Sequence, residues 1–396
     1  MSRRGLLDVA VVGGGVVGAA CALALSRLDL HVALVERAPP PAWTPARHDL
    51  RVYAFAPDNA ALLATLGVWQ PVLEAGGGRH VQAYRRMRVW DAGGGGELVF
   101  DADAVGAREL GWIVEHALLA DRLWQALQAG GVDLRTPGEV VAVAQTAEAV
   151  ELRLADGGRM QARIAVAADG AASGLRRLAG LDVSRHDYHQ AGVVAYVETT
   201  SPHQDTAWQR FLPSGPLAFL PCADGGSSIV WTLPDDEARA VAALDDAAFG
   251  AALTRASDGR LGTCTPSSPR VLFPLQRQLA SGYRAGRVLV LGDAAHVVHP
   301  LAGQGVNLGL RDVAALHATV AAARQRGVPW DAPDRLARWA RTRRSENALA
   351  AHAFEAINRV FSNEGLATTL LRGPLLGLAG RLSPLAAGLW RRAAGI

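Results

Sequence analysis

Residues 8–36 read DVAVVGGGVVGAACALALSRLDLHVALVE, and this stretch decides the fold. Four apolar residues, Val9 to Val12, predict a buried strand; Gly13, Gly15 and Gly18 follow in G-x-G-x-x-G order, and an alanine-rich run then predicts a helix. Each glycine has a steric reason. Gly13 permits the tight turn, Gly15 lets backbone N–H groups approach a diphosphate, and Gly18 lets the helix pack closely on the sheet. A second apolar run, His31 to Val35, ends in Glu36, about 20 residues after the turn, where a carboxylate accepts from the hydroxyls of an adenosine ribose. Strand, turn, helix, strand and terminal acid together specify a dinucleotide-binding βαβ unit. They do not choose between NAD and FAD, and Arg37 beside Glu36 is not enough to indicate NADP.

The residues ahead of this unit, Arg3-Arg4 before an apolar run, resemble a twin-arginine or secretory leader. Asp8 and Gly13-Gly14-Gly15 interrupt that pattern. No other stretch reaches the roughly 18 uninterrupted apolar residues of a membrane span, so no transmembrane helix is expected. With 396 residues, 50% of them hydrophobic and 19% charged, the chain has the composition of a folded protein of two or three domains. All 40 basic residues are arginine, set against 37 acidic ones for a net charge of +3. Basic runs interleaved with aromatics are missing, so nucleic acid is not an expected partner. Cys21, Cys222 and Cys264 show no CxxC spacing, which argues against a disulfide framework or a zinc ribbon and fits a reducing cytoplasm.

Two further loops have the same logic. Residues 163–177, RIAVAADGAASGLRR, run from an apolar strand into Asp169-Gly170, with Ser173 and Arg176 beyond. Residues 287–312, RVLVLGDAAHVVHPLAGQGVNLGLRD, run from an apolar strand into Gly292-Asp293, and Gly303-Gln304-Gly305 then leads into a helix. Ligands of open α/β sheets bind at such strand ends. An aspartate there can bind a ribityl hydroxyl or merely cap the next helix, and the sequence leaves both readings open. A glycine loop entering a helix aims N–H dipoles at negative charge, such as a reduced flavin carries. His296 and His299, like His186 and His189, have H-x-x-H spacing without a Cys or acidic partner at metal-site distance, so no metal is expected. Ser173 lies outside any G-x-S-x-G elbow, which leaves it a helix cap or a phosphate contact.

The three motifs together resemble the single-component FAD-dependent aromatic hydroxylases of para-hydroxybenzoate hydroxylase architecture, and most of all the ubiquinone-biosynthesis hydroxylases. The resemblance is carried by Arg51-Val52-Tyr53-Ala54, ELGWIVE at 109–115, Phe211-Leu212-Pro213 with Gly215-Pro216 and Leu220-Pro221, Phe273-Pro274-Leu275, and above all the run 292–312. The chain departs from that pattern at Ala54-Phe55-Ala56, where the family often has Ala-Leu-Ser, and at His116, where it often has Asn. The resemblance implies tightly bound, non-covalent FAD, with Gly13, Gly15, Val16, Val17, Gly18, Glu36 and Arg37 around its ADP half and Arg51 and Arg122 supporting it from the flanks. It assigns Asp169-Gly170 to FAD and to a passing nicotinamide nucleotide, and Gly292, Asp293 and Pro300 to the ribityl and diphosphate region. Gly303, Gln304 and Gly305 form the flavin-side catalytic loop, with Val306 and Asn307 beside the isoalloxazine; no general base is assigned. The implied reaction takes NAD(P)H and O2 and, through a C4a-hydroperoxyflavin, hydroxylates the ring of a prenylated phenolic ubiquinone precursor. A hydroxylase of a soluble aromatic and a noncatalytic flavoprotein component of a biosynthetic complex are the alternatives.

The expected architecture is α/β: a discontinuous Rossmann-like FAD-binding domain over 1–72, 109–179 and 281–330, and a mainly antiparallel substrate sheet over 73–108 and 180–280. The aromatic substrate is expected between that sheet and Gly303-Gln304-Gly305, because pockets form at domain interfaces. Residues 331–396 read as a helical C-terminal region whose last 31 residues are apolar with spaced arginines, broken by Pro374 and Pro384. Helices packed on the FAD domain and an amphipathic contact with a membrane surface or a biosynthetic complex are both open readings of this tail. The resulting localisation is cytoplasmic, with a peripheral position on the inner membrane face as the second form.

Overall fold

The apolar run at the N-terminus is the strand Leu6–Val12, and its last four residues are buried because strands lie on both sides of it. The computed structural model describes residues 5–46, 49–93, 96–298 and 304–361. Five parallel strands stand in the order Val288–Val290, Arg159–Ala167, Leu6–Val12, Val32–Val35, Asp133–Arg135. Arg284–Ala285, Val150–Leu154 and Val140–Gln145 extend this eight-stranded sheet by antiparallel pairing. The helix Val16–Ser26 is buried over nearly its whole length. A helix apolar on all sides has to be covered on all sides, and here the sheet, His116–Ala129 and Gln304–Gln325 cover it.

The second sheet has nine strands and answers to the antiparallel pattern expected of 180–280. Its long spine, Val183–Thr199, pairs antiparallel with Ser227–Pro234 on one side and Val271–Ala280 on the other. Gly215–Pro221 and Thr206–Leu212 continue it, and Arg86–Asp91 joins Thr206–Leu212 in parallel. Two helices, Asp235–Ala242 and Asp246–Ala256, pack Ala238, Phe249 and Leu253 onto this sheet. The sequence reading of 180–280 as sheet alone missed them, although their start signals are present: three acidic residues in the first turn of one, and Asp245 accepting from the Ala248 N–H at 2.7 Å in the other.

A third sheet places Gly111–Glu115 between Val52–Phe55 and Val81–Tyr84. Segment 73–108 is therefore divided, with Val81–Tyr84 on this small sheet and Arg86–Asp91 and Glu97–Asp101 on the nine-stranded one. Helix Pro333–Phe361 packs Leu336, Trp339 and Ala340 into the core of the parallel sheet. The apolar tail 362–396, with Pro374 and Pro384, lies outside the described residues. Among the described residues no helix is long and apolar enough to cross a membrane.

Candidate cofactor cleft

Three loops far apart in sequence converge on one cleft of about 1030 Å³, at the top of the range of roughly 300–1,000 Å³ common for small-molecule sites. Each enters from the carboxyl end of a parallel strand: Gly13 to Val17 after Leu6–Val12, Asp169-Gly170 after Arg159–Ala167, and Asp293 after Val288–Val290. Glu36, Arg37, Arg51, Gly305 and Val306 also line the wall.

The glycine turn is shaped by close backbone approaches. Gly13 has φ +106°, and a Cβ there would stand 2.3 Å from the Ala168 carbonyl oxygen. A Cβ on Gly18 would stand 2.0 Å from the Gly13 carbonyl oxygen, so Gly18 is a packing residue behind the cleft rather than part of its wall. Nothing lies within 4 Å of where a Cβ on Gly15 would be. That open space is where a diphosphate can approach the first turn of Val16–Ser26, whose cap Gly15 supplies no side-chain hydrogen bond. Glu36 accepts from the N–H groups of Gly14, Arg37 and Ala38, so its carboxylate fixes the turn as well as lining the cleft. Trp124 Nε1 donates to the Gly14 carbonyl at 2.7 Å from the other side. Arg37 pairs with Glu139 at 2.9 Å, and both line the cleft.

The two strand-end aspartates differ. Asp169 Oδ1 accepts from the Ser173 hydroxyl, and Oδ2 from the N–H groups of Gly174, at 2.7 Å, and Leu175. Ser173 in turn caps the short helix Gly174–Leu178 by accepting from Arg176 N–H at 3.0 Å. Asp169 is thus a capping residue on the cleft wall. The Asp293 carboxylate has no hydrogen-bond partner among the described residues and lines the same cleft.

The Asp293 loop is held from behind. Asp312, buried completely, accepts from Gly292 N–H at 3.1 Å, His296 Nε2 at 2.7 Å, Arg343 Nε at 2.8 Å and Asn347 Nδ2 at 2.9 Å. Burial alone would push this carboxyl up; His296 and Arg343 together outweigh it and hold Asp312 below the ordinary carboxylate range. His296 is committed to this network. Its H-x-x-H partner His299 lies outside the described residues.

Several expected cofactor residues take other positions. Gly292 is buried, its Cα side turned to Val17, and works through its N–H to Asp312. Asn307 is fully buried: Nδ2 donates to Ala54 C=O at 2.8 Å and Oδ1 accepts from Ala56 N–H at 3.0 Å. It ties the helix Gln304–Gln325 to the strand Val52–Phe55 and does not line the cleft, because a carboxamide placed against an open strand end satisfies two backbone groups at once. Arg122 is also away from the wall. Its guanidinium pairs with Asp121, donates to Pro71 C=O at 3.3 Å and lies 5.4 Å from the ring centre of Trp43. Pro300, Gly303 and the side chain of Gln304 lie outside the described residues.

Among the wall residues not assigned from sequence are Tyr53 and His116. Both stood inside quoted motifs, His116 as a departure, and only the pairing of Val52–Phe55 with Gly111–Glu115 brings them together. Beyond Val52, a hollow of about 20 Å³, room for one water, is lined by Glu115, Tyr196 and Cys222 where the small sheet meets the nine-stranded one. Tyr196 donates to Asp49 C=O at 2.8 Å and so braces the loop that carries Arg51.

Comparison with known proteins agrees with this geometry. The family described as FAD binding domain matches residues 6–348. The 3-demethoxyubiquinol 3-hydroxylase of Escherichia coli is 36% identical over 358 residues, which is 90% of this chain and 90% of that protein. Ubiquinone hydroxylase UbiL of Rhodospirillum rubrum is 35% identical, covering 98% of this chain and 89% of its own. Among solved structures, p-nitrophenol 4-monooxygenase PnpA of Pseudomonas putida superposes with a TM-score of 0.76 at 19% identity, over 98% of this chain and 97% of that one, a likeness of fold.

Proposed function

Because this chain belongs to the FAD-binding domain family, we propose that it is an NAD(P)H-dependent flavoprotein monooxygenase that hydroxylates the aromatic ring of a prenylated phenolic ubiquinone precursor. The observation that carries the reading is the convergence of the three strand-end loops on one cleft large enough for a dinucleotide. Its lining fits FAD: an uncapped helix end for the diphosphate, Glu36 at the adenosine end, and a free carboxylate at Asp293 for sugar-chain hydroxyls. FAD supplies, when bound, the redox chemistry that takes electrons from NAD(P)H and activates O2.

The chain's own residues bind, orient and shield. Gly13 to Val17 hold the diphosphate against the end of Val16–Ser26, where orphan N–H groups and the helix dipole favour an anion. Asp293 accepts from the ribityl chain. Gly305 and Val306 bring the start of Gln304–Gln325 to the cleft wall, where that helix's N–H groups would stabilise negative charge on the ring system. Val297, on the edge strand of the nine-stranded sheet, lines the cleft, and a substrate seated between that sheet and the cofactor would exclude water from the reacting ring. The unit 1–72, 109–179 and 281–330 carries the cofactor, and 180–280 with most of 73–108 carries the substrate. A prenyl chain dissolves in a bilayer, and the apolar, arginine-spaced sequence of 362–396 suits a peripheral contact at the inner membrane face.

The test is a visible spectrum of the purified chain, then NADPH oxidation with and without a prenylated phenol, with product masses recorded. A flavin spectrum, ligand-stimulated oxidation and a product heavier by one oxygen are expected. A colourless protein that FAD does not reconstitute overturns the reading; a yellow protein silent with every prenylated phenol removes the proposed substrate.

A further inference from the structure

His116 opens the helix His116–Ala129 and stands in the cleft wall, not in the packed interior. Its Nδ1 is 2.8 Å from the Tyr53 hydroxyl, and the two rings meet edge-on at 5.7 Å. Nε2 has no hydrogen-bond partner among the described residues and is not sealed from solvent. Three charged groups face the pair. Arg51 lies on the strand side, its guanidinium carbon 5.6 Å from the centre of the Tyr53 ring. Asp49 accepts from the N–H of Arg51 at 2.9 Å and of Ala117 at 3.0 Å, and Asp293 acts on Tyr53 from the strand-end turn Gly292–Ala294.

Burial, opposed by Arg51 and reinforced by Asp293 and Asp49, pushes the Tyr53 hydroxyl up to about 12, so it stays protonated. Burial first, then Arg51, hold the His116 imidazole below its ordinary range against Asp49. A neutral ring accepting from Tyr53 at Nδ1 keeps its own proton on Nε2, the nitrogen left free.

We propose that His116 is a further cofactor-holding residue of this chain, offering Nε2–H to the anionic diphosphate–ribityl stretch of FAD, and that binding this anion draws a proton onto the ring. The proposal rests on the FAD reading above. A dianion in the cleft offsets the repulsion from Arg51, so the charged imidazole costs less in the complex than in the free protein. Tyr53 serves both states, because a hydroxyl can donate to a neutral Nδ1 and, after rotating, accept from a charged one. By linkage, a ring that takes up a proton on binding makes FAD bind more tightly as pH falls towards the free-ring value. A rise of one pKa unit in the complex corresponds to about a tenfold change in Kd.

The experiment titrates the deflavinated full-length chain with FAD by fluorescence quenching from pH 5.5 to 8, and counts protons by calorimetry at pH 6.5 in two buffers of different ionisation enthalpy. The wild type is expected to bind at least about threefold more tightly at the acid end relative to His116→Asn, which keeps a donor but does not titrate. Proton uptake is expected in the wild type and absent in His116→Asn; His116→Gln is the second non-titrating variant should the first fold poorly. In Tyr53→Phe the uptake persists with a moved pH midpoint, and an unmoved midpoint removes Tyr53 from the pair. Parallel pH profiles with equal uptake in wild type and His116→Asn overturn the role of His116 and leave the FAD reading intact. A chain that binds no FAD at any pH overturns that reading, and this proposal with it.

Discussion

Two loops of this fold begin alike, each an apolar strand running into an aspartate, and they use that aspartate in opposite ways. The aspartate at 169 is used locally: Asp169, Ser173, Gly174 and Leu175 are bonded to one another within six residues of sequence, and Gln278 Nε2 adds one distant bond to the Ala171 carbonyl at 2.8 Å. The loop at 292 is supported from afar, by Asp312 twenty positions on and by Arg343 and Asn347 from the helix Pro333–Phe361. The loop at 169 has spent its carboxylate on its own cap. The loop held from behind keeps the Asp293 carboxylate free in the cleft. A capping aspartate and one left open to the cleft thus differ in what stabilises the surrounding turn.

The strongest way to break the comparison is to remove the distant support. Asp312→Ala leaves His296 and Arg343 buried without their carboxylate, and breaking a buried pair costs roughly 3–5 kcal/mol. The expected result is a large fall in Tm measured by circular dichroism, together with loss of FAD retention, because the Gly292 N–H loses its acceptor. The pH dependence has a definite sign. Asp312 is held below its unfolded value, so its contribution is complete above about pH 4 and is lost as pH falls through the folded value. The stability gap between wild type and Asp312→Asn should therefore be flat from pH 5 to 7 and shrink in acid. A gap that grows in acid would mean that the carboxylate is not the stabilising form.

The next effect is on the ligand alone. Asp293→Ala removes a side chain with no protein partner among the described residues, so folding stability of the FAD-free chain should change little, within about 0.5 kcal/mol. FAD Kd should rise about tenfold or more, the order expected when one charge-assisted hydrogen bond to the ligand is removed. Equal flavin content in wild type and variant would show that Asp293 makes no contact with the cofactor.

The sequence displayed the loops of this site and hid what holds them from behind. Short motifs were legible: the turn at Gly13 to Gly18, Glu36 at the end of the second strand, and the strand-end loops that carry Asp169 and Asp293. Residues working across the fold were not. Asp312, Arg343 and Asn347 meet only because the helix Pro333–Phe361 crosses behind Gln304–Gln325, and Tyr53 meets His116 only through pairing of Val52–Phe55 with Gly111–Glu115. The tie made by the Asn307 carboxamide was hidden for the same reason, since its partners Ala54 and Ala56 are some 250 positions away. The helices Asp235–Ala242 and Asp246–Ala256 were not legible because both are short and stand between strands, with only their acidic first turns to mark them.

The smallest expected effect tests the other side of the comparison. Asp169→Ala removes the acceptor for Gly174 and Leu175 N–H but leaves Ser173 to cap Arg176, so the cost should be that of one helix cap, about 1 kcal/mol. FAD Kd should move less than in Asp293→Ala, since a carboxylate already shared among three donors has little capacity left for a ligand. Asp169→Asn sharpens the point, because its carbonyl oxygen can still accept while the charge is gone; a near-normal Tm is expected. If Asp169→Ala instead loses FAD as severely as Asp293→Ala at unchanged stability, the cap is incidental, Asp169 opens to the ligand when FAD enters, and the two loops are functionally the same.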